Sequence, residues 1–359
     1  MKKLTSKLTR KKQVKKPTRI TNETVAEHRE QILAGARRFK YPVQYTKYRL
    51  IISAISIGIV TLLLFILLSW WQLYKVQSTS EFFYRMTRLI PVPVANIDGE
   101  NVKYGDYLLN YKSAETYLNT VEKLDQKADS ESVKGQFDYI KFKAMEKAIE
   151  DAYASKLARE NSISISSDQI DAAIKRIRQT TSPQGEISQE VYDRSSRQLY
   201  GLSPEDSRYN VMRSILRQEV SYSIDERARK VSDNLSTDLK KSKFESGFDK
   251  LTAVVKKKYP ELEVSTSGWV KKSNPDGGIA LAAARLKKGD IAGPIKPFSG
   301  DGYYFVQLID QNKDGQISYG QIKVPLLEFN RRIESLKSDG GVKYYISVPD
   351  IQPQINTKS

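Results

Sequence analysis

Cysteine is absent from the 359 residues, and histidine occurs once, at His28. The first gap excludes disulfides, thiol nucleophiles and thiolate metal sites, and the second removes imidazole ligands and any Ser-His-Asp relay from everything beyond residue 28. Chemistry in the rest of the chain would have to rest on carboxylates, Lys, Tyr or hydroxyls, and no cofactor or metal site is expected. Acidic residues are the next shortage, and it is local. Residues 1–49 hold three of them against 15 Lys and Arg, so this short stretch carries most of the net charge of +17. Spread over a folded domain, that charge would suggest nucleic acid, but here it stands in front of an apolar run and no nucleic-acid partner is expected.

What is present first is a long hydrophobic segment, LIISAISIGIVTLLLFILLSWW from Leu50 to Trp71, without an ionisable residue. At 1.5 Å per residue it spans roughly 33 Å, enough for a hydrocarbon core of about 30 Å. Lys47 and Arg49 precede it, and Trp70, Trp71 and Tyr74 form an aromatic belt at its far end. The excess of Lys and Arg on the N-terminal side places that side in the cytoplasm and the remainder of the chain outside. A cleaved signal peptide would have a shorter apolar region and small residues at its exit, not Trp-Trp. The boundaries read as a basic cytoplasmic tail over 1–48, a transmembrane helix over 49–75 and a linker over 76–93. The tail has too many like charges to fold alone and suits anionic lipid headgroups. Val25, Ile32, Leu33 and Ala36 could line a short amphipathic helix between Thr21 and Tyr41. In the linker, EFFYRMTRLIPVP is sticky enough to lie against the membrane or the domain that follows.

Past the linker, VANIDGENVKYGDY reads as a hairpin, with Asp98-Gly99 supplying the positive φ angles of a tight turn. Asp106 then stands where it can cap a helix carrying Leu108, Leu109, Ala114, Tyr117 and Leu118. A second helix is expected from about Ser132 to Asn161, with Phe137, Ile140, Ala144, Ala148, Ala152 and Leu157 at helical spacing. Ser166 followed by Gln169 makes a capping box ahead of Ile170, Ile174 and Ile177. Ser203, with Pro204 at the first helical position and Asp206 three residues on, repeats the device. The spacing therefore predicts a hairpin and four or five amphipathic helices between 94 and about 230, with a polar loop, TTSPQGEISQE, among them.

In their order, VANIDGENVKYGDY, LARENSISISSDQIDAAI and the Leu202-Ser203-Pro204-Glu205 helix ending RSILRQEV resemble the N-terminal domain of SurA-type and PrsA-type exported chaperones. That resemblance implies a helical cradle for unfolded chains over residues 94–235. Residues 236–325 resemble a parvulin (PpiC-type) prolyl isomerase domain. The resemblance is carried by Phe248 and Leu251, the Gly268-Trp269 pair, the Ala282–Leu286 helix, Lys288-Gly289-Asp290-Ile291 with Gly293-Pro294, and the closing strand Gly302–Val306. With the anchor in front, the architecture is similar to PpiD-like and PrsA-like foldases. The parvulin pattern has a His in its closing strand where this chain has Tyr304. Its Met and Phe positions fall on Pro275 and Ile279, and its first strand has only ARKVSDNL near 228–235 as a counterpart. The family's site is thus degenerate here, which names no catalytic residue and leaves Trp269, Ile279, Phe298 and Tyr304 as candidate peptide contacts.

Two segments keep two readings each. Asp310, Asn312, Asp314 and Gly315 match the opening of a calcium loop, but Gln321 replaces its final Glu and the flanks read as strands, which makes a hairpin turn the alternative. The C-terminal extension, 326–359, could complete the small α/β domain or offer an edge for an added peptide strand. The whole reads as an α+β protein: a transmembrane helix, a mostly helical SurA-like domain and a small parvulin-like domain. The expected function is that of a membrane-anchored extracytoplasmic chaperone or foldase whose partners are unfolded or exported polypeptides and, through the helix and the tail, membrane lipid. An active peptidyl-prolyl isomerase and a non-catalytic envelope assembly partner are the alternatives, and the oligomeric state stays open.

Overall fold

The computed structural model describes residues 21–39, 42–124, 130–180, 185–241 and 247–349. The basic arm over residues 1–20, the centre of the polar loop near 181–184 and the end of the chain from 350 lie outside the described residues.

Two compact units divide at residue 72. The first contains α1 (Asn22–Phe39) and α2 (Pro42–Trp71). Around α2, the stretch Tyr48–Val76 is long and apolar enough to cross a membrane, and its most apolar 18-residue window, with a mean hydropathy of 2.9, is not buried by protein.

The second unit opens with α3 (Glu81–Leu89), β1 (Pro93–Ile97) and β2 (Glu100–Lys103). Asp98 and Gly99 turn the hairpin at φ 49° and 81°, and Asn96 accepts from the Gly99 amide through its side chain at 3.1 Å. There follow α4 (Tyr104–Thr120), α5 (Glu131–Glu160), α6 (Ser167–Thr180), α7 (Gln189–Tyr200), α8 (Pro204–Ile224) and α9 (Glu226–Lys241). Both capping devices form. Ser166 and Gln169 exchange hydrogen bonds at 2.8 and 3.3 Å, and the Ser203 hydroxyl accepts from the Asp206 amide at 3.1 Å. Ala144, Ala148 and Ala152, spaced by one turn, are all buried on α5, where their small side chains let it lie close against α4. Tyr104, Leu108 and Tyr111 of α4 and Met145 and Ile149 of α5 fill the core between them.

Asp106 does not cap α4. The helix begins at Tyr104, and Asp106 is carried in its first turn to a buried position facing α8. There it accepts from the Tyr209 hydroxyl at 2.9 Å and from Arg213 at 3.3 Å, with Arg88 of α3 at 3.6 Å. A second buried carboxylate, Asp151 of α5, pairs with Arg217 and lies 3.8 Å from Arg213. Burial pushes the Asp151 carboxyl up, against the pull of the two guanidiniums. Such buried pairs contribute little net stability when complete, but removing one member leaves a charge uncompensated.

The small α/β part holds α10 (Phe248–Lys258), β3 (Glu263–Thr266), β4 (Val270–Lys271), α11 (Ile279–Ala283), β5 (Ile291–Ile295), β6 (Gly302–Gln311) and β7 (Gln316–Pro325). Its antiparallel sheet runs β3-β7-β6-β5, with β4 also on β7. Both faces are covered. Tyr303, Phe305, Ile322 and Val324 pack with α9 and α10, while Tyr304, Val306, Leu308, Ile317 and Tyr319 pack with α11. This explains why the start of β6, GYYFVQL, is apolar without alternation and buried throughout. Gly320 of β7 is required by the approach of α10, since a Cβ there would meet the Phe248 ring at 2.4 Å.

Two expectations are corrected here. Residues 228–235, taken as the remnant of a first strand, lie inside α9, and the sheet position next to β6 is filled by β7, which follows β6 through a turn. The segment after Pro325 does not complete the small α/β part. It forms α12 (Glu328–Ser338) and β8 (Val342–Tyr344), returns to the helical part, pairs β8 with β1 and adds Phe329, Ile333 and Ile346 to that core. The reason is visible in the hairpin: β1 pairs with β2 along one edge, and its other edge needs a partner that β8 supplies.

The chain thus crosses twice between its helical and its α/β parts, near residue 225 and near residue 326, and one carboxylate holds both crossings. Asp225, 4% exposed, accepts from the Ala228 amide of α9 at 2.8 Å through one oxygen. Its other oxygen accepts from the amides of Leu327 and Glu328, at the start of α12, at 2.8 and 3.1 Å. Asp225→Ala is expected to cost about 2–4 kcal/mol, the sum of two lost caps left buried. Asp225→Asn keeps one accepting oxygen and is expected to cost roughly half as much. Chemical denaturation of the three proteins checks both, and equal losses for Ala and Asn would show that only one cap matters.

Candidate functional site

The site is built on α8, whose sequence gives it three different sides. Leu216 and Val220 turn into the helical core. Arg213 and Arg217 reach Asp106 and Asp151. Gln218 and Tyr222 reach the α/β part: the Gln218 amide donates to the Phe298 carbonyl at 3.1 Å, and the Tyr222 hydroxyl donates to the Gly302 carbonyl at 2.7 Å. The Lys296 ammonium stands 4.6 Å from the centre of the Tyr222 ring. Burial pushes the Tyr222 phenol up, so it stays protonated and able to donate at any physiological pH. Close contact of this kind needs Gly300, at φ 66°, because a Cβ there would overlap the Gln218 side chain.

Between α6 and α8 on one side and the loops at 275–277 and 296–299 on the other lies a groove of about 830 Å³. Its apolar lining includes Ala172, Ala173 and Ile177 of α6, Val211 and Ile215 of α8, and Phe298. Asp168, Gln169, Glu219 and Lys296 supply polar groups. The Arg176 guanidinium lies 4.2 Å over the Phe298 ring, so a side chain of α6 reaches the far wall. Behind α8 is a smaller cavity of about 390 Å³ with a different chemistry. There Lys323 is held between Asp301 at 2.9 Å and Glu263 at 3.1 Å. Burial works to raise the Asp301 carboxyl, but hydrogen bonds from Ser299, Lys323 and Tyr304 outweigh it and hold it below the usual range. In the polar cavity Lys323 is balanced by two carboxylates, whereas the groove presents mostly apolar surface.

The four residues singled out in the sequence part company. Phe298, 48% exposed, lines the groove. Trp269, 51% exposed, is outside the groove lining, in the turn between β3 and β4. Ile279 and Tyr304 are brought together, but in the core beneath α11. The Tyr304 hydroxyl donates to Asp301 at 3.0 Å, and burial with that bond pushes its phenol up to about 12. Most of the groove comes from α6 and α8 instead. A signal for it was present: Ile170 and Ile174 suffice to bury α6, so the third member of the stripe, Ile177, remains 37% exposed beside Val211 and Ile215.

The stretch resembling a calcium loop is the turn of the β6–β7 hairpin. The Asn312 side-chain oxygen accepts from the amides of Asp314 and Gln316 at 3.0 and 2.9 Å, and Asp310 pairs with Lys288 at 3.1 Å. Among the described residues no group of three or more acidic or histidine side chains is placed to hold a metal ion.

Residues 44–221, just under half of the chain, match the family model of the SurA-like N-terminal domain. The chain carries a SurA-like N-terminal domain. No curated protein and no solved structure matches the chain. The SurA-like domain ends within α8, so one wall of the groove belongs to it, and the loops of the α/β part that form the other wall lie beyond the matched residues. Gly300→Ala is expected to lower stability by about 1–2 kcal/mol, through the strained φ and the displaced Gln218. Thermal unfolding measures it, and an unchanged midpoint would mean that Gln218 moves aside without loss.

Proposed function

We propose that this protein is a membrane-anchored chaperone that holds unfolded or newly exported polypeptides on the outer side of the membrane, in the groove between α6, α8 and the α/β part. The observation that carries this reading is the groove itself: an open, mostly apolar channel, walled on one side by a SurA-like domain, a kind of domain that in general binds unfolded polypeptides. Its length of apolar lining suits a segment with several hydrophobic side chains, and its polar members can meet the backbone groups of an extended chain. The helix Tyr48–Val76 serves as the anchor, and the basic residues before it set the orientation.

In this reading residues 236–325 are a degenerate parvulin-like module that acts as a scaffold. Tyr304 lies in the core, tied to Asp301, and cannot reach a bound proline, while Phe298 and the exposed Trp269 offer aromatic contact to a client. The full-length chain in lipid nanodiscs is therefore expected to show no prolyl isomerisation above background on a proline-containing test peptide. A rate above background would replace this reading with that of an active isomerase.

The holding activity has its own test. The same preparation should suppress aggregation of a chemically unfolded protein, and Ile215→Asp should weaken client binding on the order of tenfold, a loss of ~1.4 kcal/mol. Val254→Asp, which changes an exposed apolar residue on α10 away from the groove, should bind as the parent does. Equal weakening by both variants, or none by Ile215→Asp, would remove the groove from the account.

A further inference from the structure

We propose that the outer face of α3 lies in the surface of the lipid bilayer, an inference that rests on the reading of Tyr48–Val76 as a membrane anchor. The helix is two-sided. Its inner face carries Phe83, Tyr84 and the buried Thr87, packed on the domain, and Arg88, which reaches inward to Asp106 and Asp206. Arg88 also lies 4.5 Å over the Tyr209 ring, so this face is fixed by charge as well as by packing.

The opposite face is where a soluble domain would be polar, and it is not. Phe82 and Leu89, two turns apart on the same side, are 56% and 85% exposed, and Ile90 just past the helix is 56% exposed. Leu89 is the most exposed large apolar side chain among the described residues, more so than any in the apolar helix itself. Isolated exposed leucines are ordinary, but an aligned Phe-Leu-Ile patch on a strongly amphipathic helix marks a surface that is covered in use.

The chain itself identifies the cover. Nine residues, Gln72–Ser80, separate the end of α2 from the start of α3. Even fully extended they reach only about 30 Å, so the anchor holds α3 within that distance of the interface. Arg85, which pairs with Glu81 at 2.9 Å, sits on the same outer face with an extended side chain largely in solvent, placed to meet headgroups while the apolar residues enter the acyl boundary. Polypeptide clients have a groove elsewhere. Lipid is the one partner that the tether brings to this face permanently.

The absence of cysteine makes the test direct, since each introduced thiol is unique. Single variants Leu89→Cys and Phe82→Cys of the full-length chain would carry a nitroxide label in vesicles of phosphatidylethanolamine and phosphatidylglycerol. Leu63→Cys, in the middle of the apolar helix, and Lys313→Cys, in the exposed β6–β7 turn, would serve as references. Collision with oxygen relative to a water-soluble nickel chelate reads the depth of each label. The expected ratio at positions 82 and 89 is several-fold above that at 313 and below that at 63. A ratio at 89 equal to that at 313, with 63 deep in lipid, overturns this inference and leaves the anchor standing. Low collision with both reagents at 89 means a protein cover and also overturns it. A label at 63 that is open to the chelate overturns the anchor, and this inference with it.

Discussion

One carboxylate, Asp225, holds the place on which the groove depends. The helical and α/β parts are joined by two strands of chain, and each crossing begins a helix whose first amide groups need acceptors. A separate cap at each crossing would leave the two parts free to swing about either joint. A shared cap, with one oxygen on α9 and the other on α12, makes the two joints a single rigid hinge line. The walls of the groove, α8 on one side and the 296–299 loop on the other, inherit a fixed separation, and Gln218 and Tyr222 hold them at hydrogen-bond distance.

The buried charges around Arg213 and Arg217 work along the same helix. Asp106 comes from α4, Asp151 from α5 and Arg88 from α3, so three helices are keyed to α8 by groups that tolerate little rotation or slip. Apolar packing of Tyr, Met and Ala would allow several helix registers with similar energy. Paired charges in a dry interior allow few, because a displaced helix would strand a carboxylate or a guanidinium. The apolar side of α8 facing the groove can then be left open without the bundle collapsing to cover it.

Local features were the legible ones. The Asp98-Gly99 turn, the Ser166–Gln169 and Ser203–Asp206 caps and the apolar helix before residue 76 are all contained within a few residues of one another, and each appears where its pattern placed it. The misreadings all concern partners far apart in the chain. Asp106 looked like a cap because the arginine it faces is 107 residues away. The segment after Pro325 looked able to complete the α/β domain because nothing in its own residues says that β8 pairs with β1, far back in the chain. Phe298 was singled out for its chemistry, but the α6 and α8 residues opposite it read as ordinary amphipathic stripe, since a groove is a relation between two surfaces and no single segment contains it.

The return of α12 and β8 to the first sheet orders events in time. The SurA-like part lacks a strand beside β1 and lacks Phe329, Ile333 and Ile346 of its core until the last of these residues has emerged, whereas the sheet of the α/β part and the helices on both its faces, α9 to β7, follow one another in the chain. During synthesis the α/β part can therefore close while the helical part still waits, open along one edge. The residues of that part that are made first are therefore among the last to be finished.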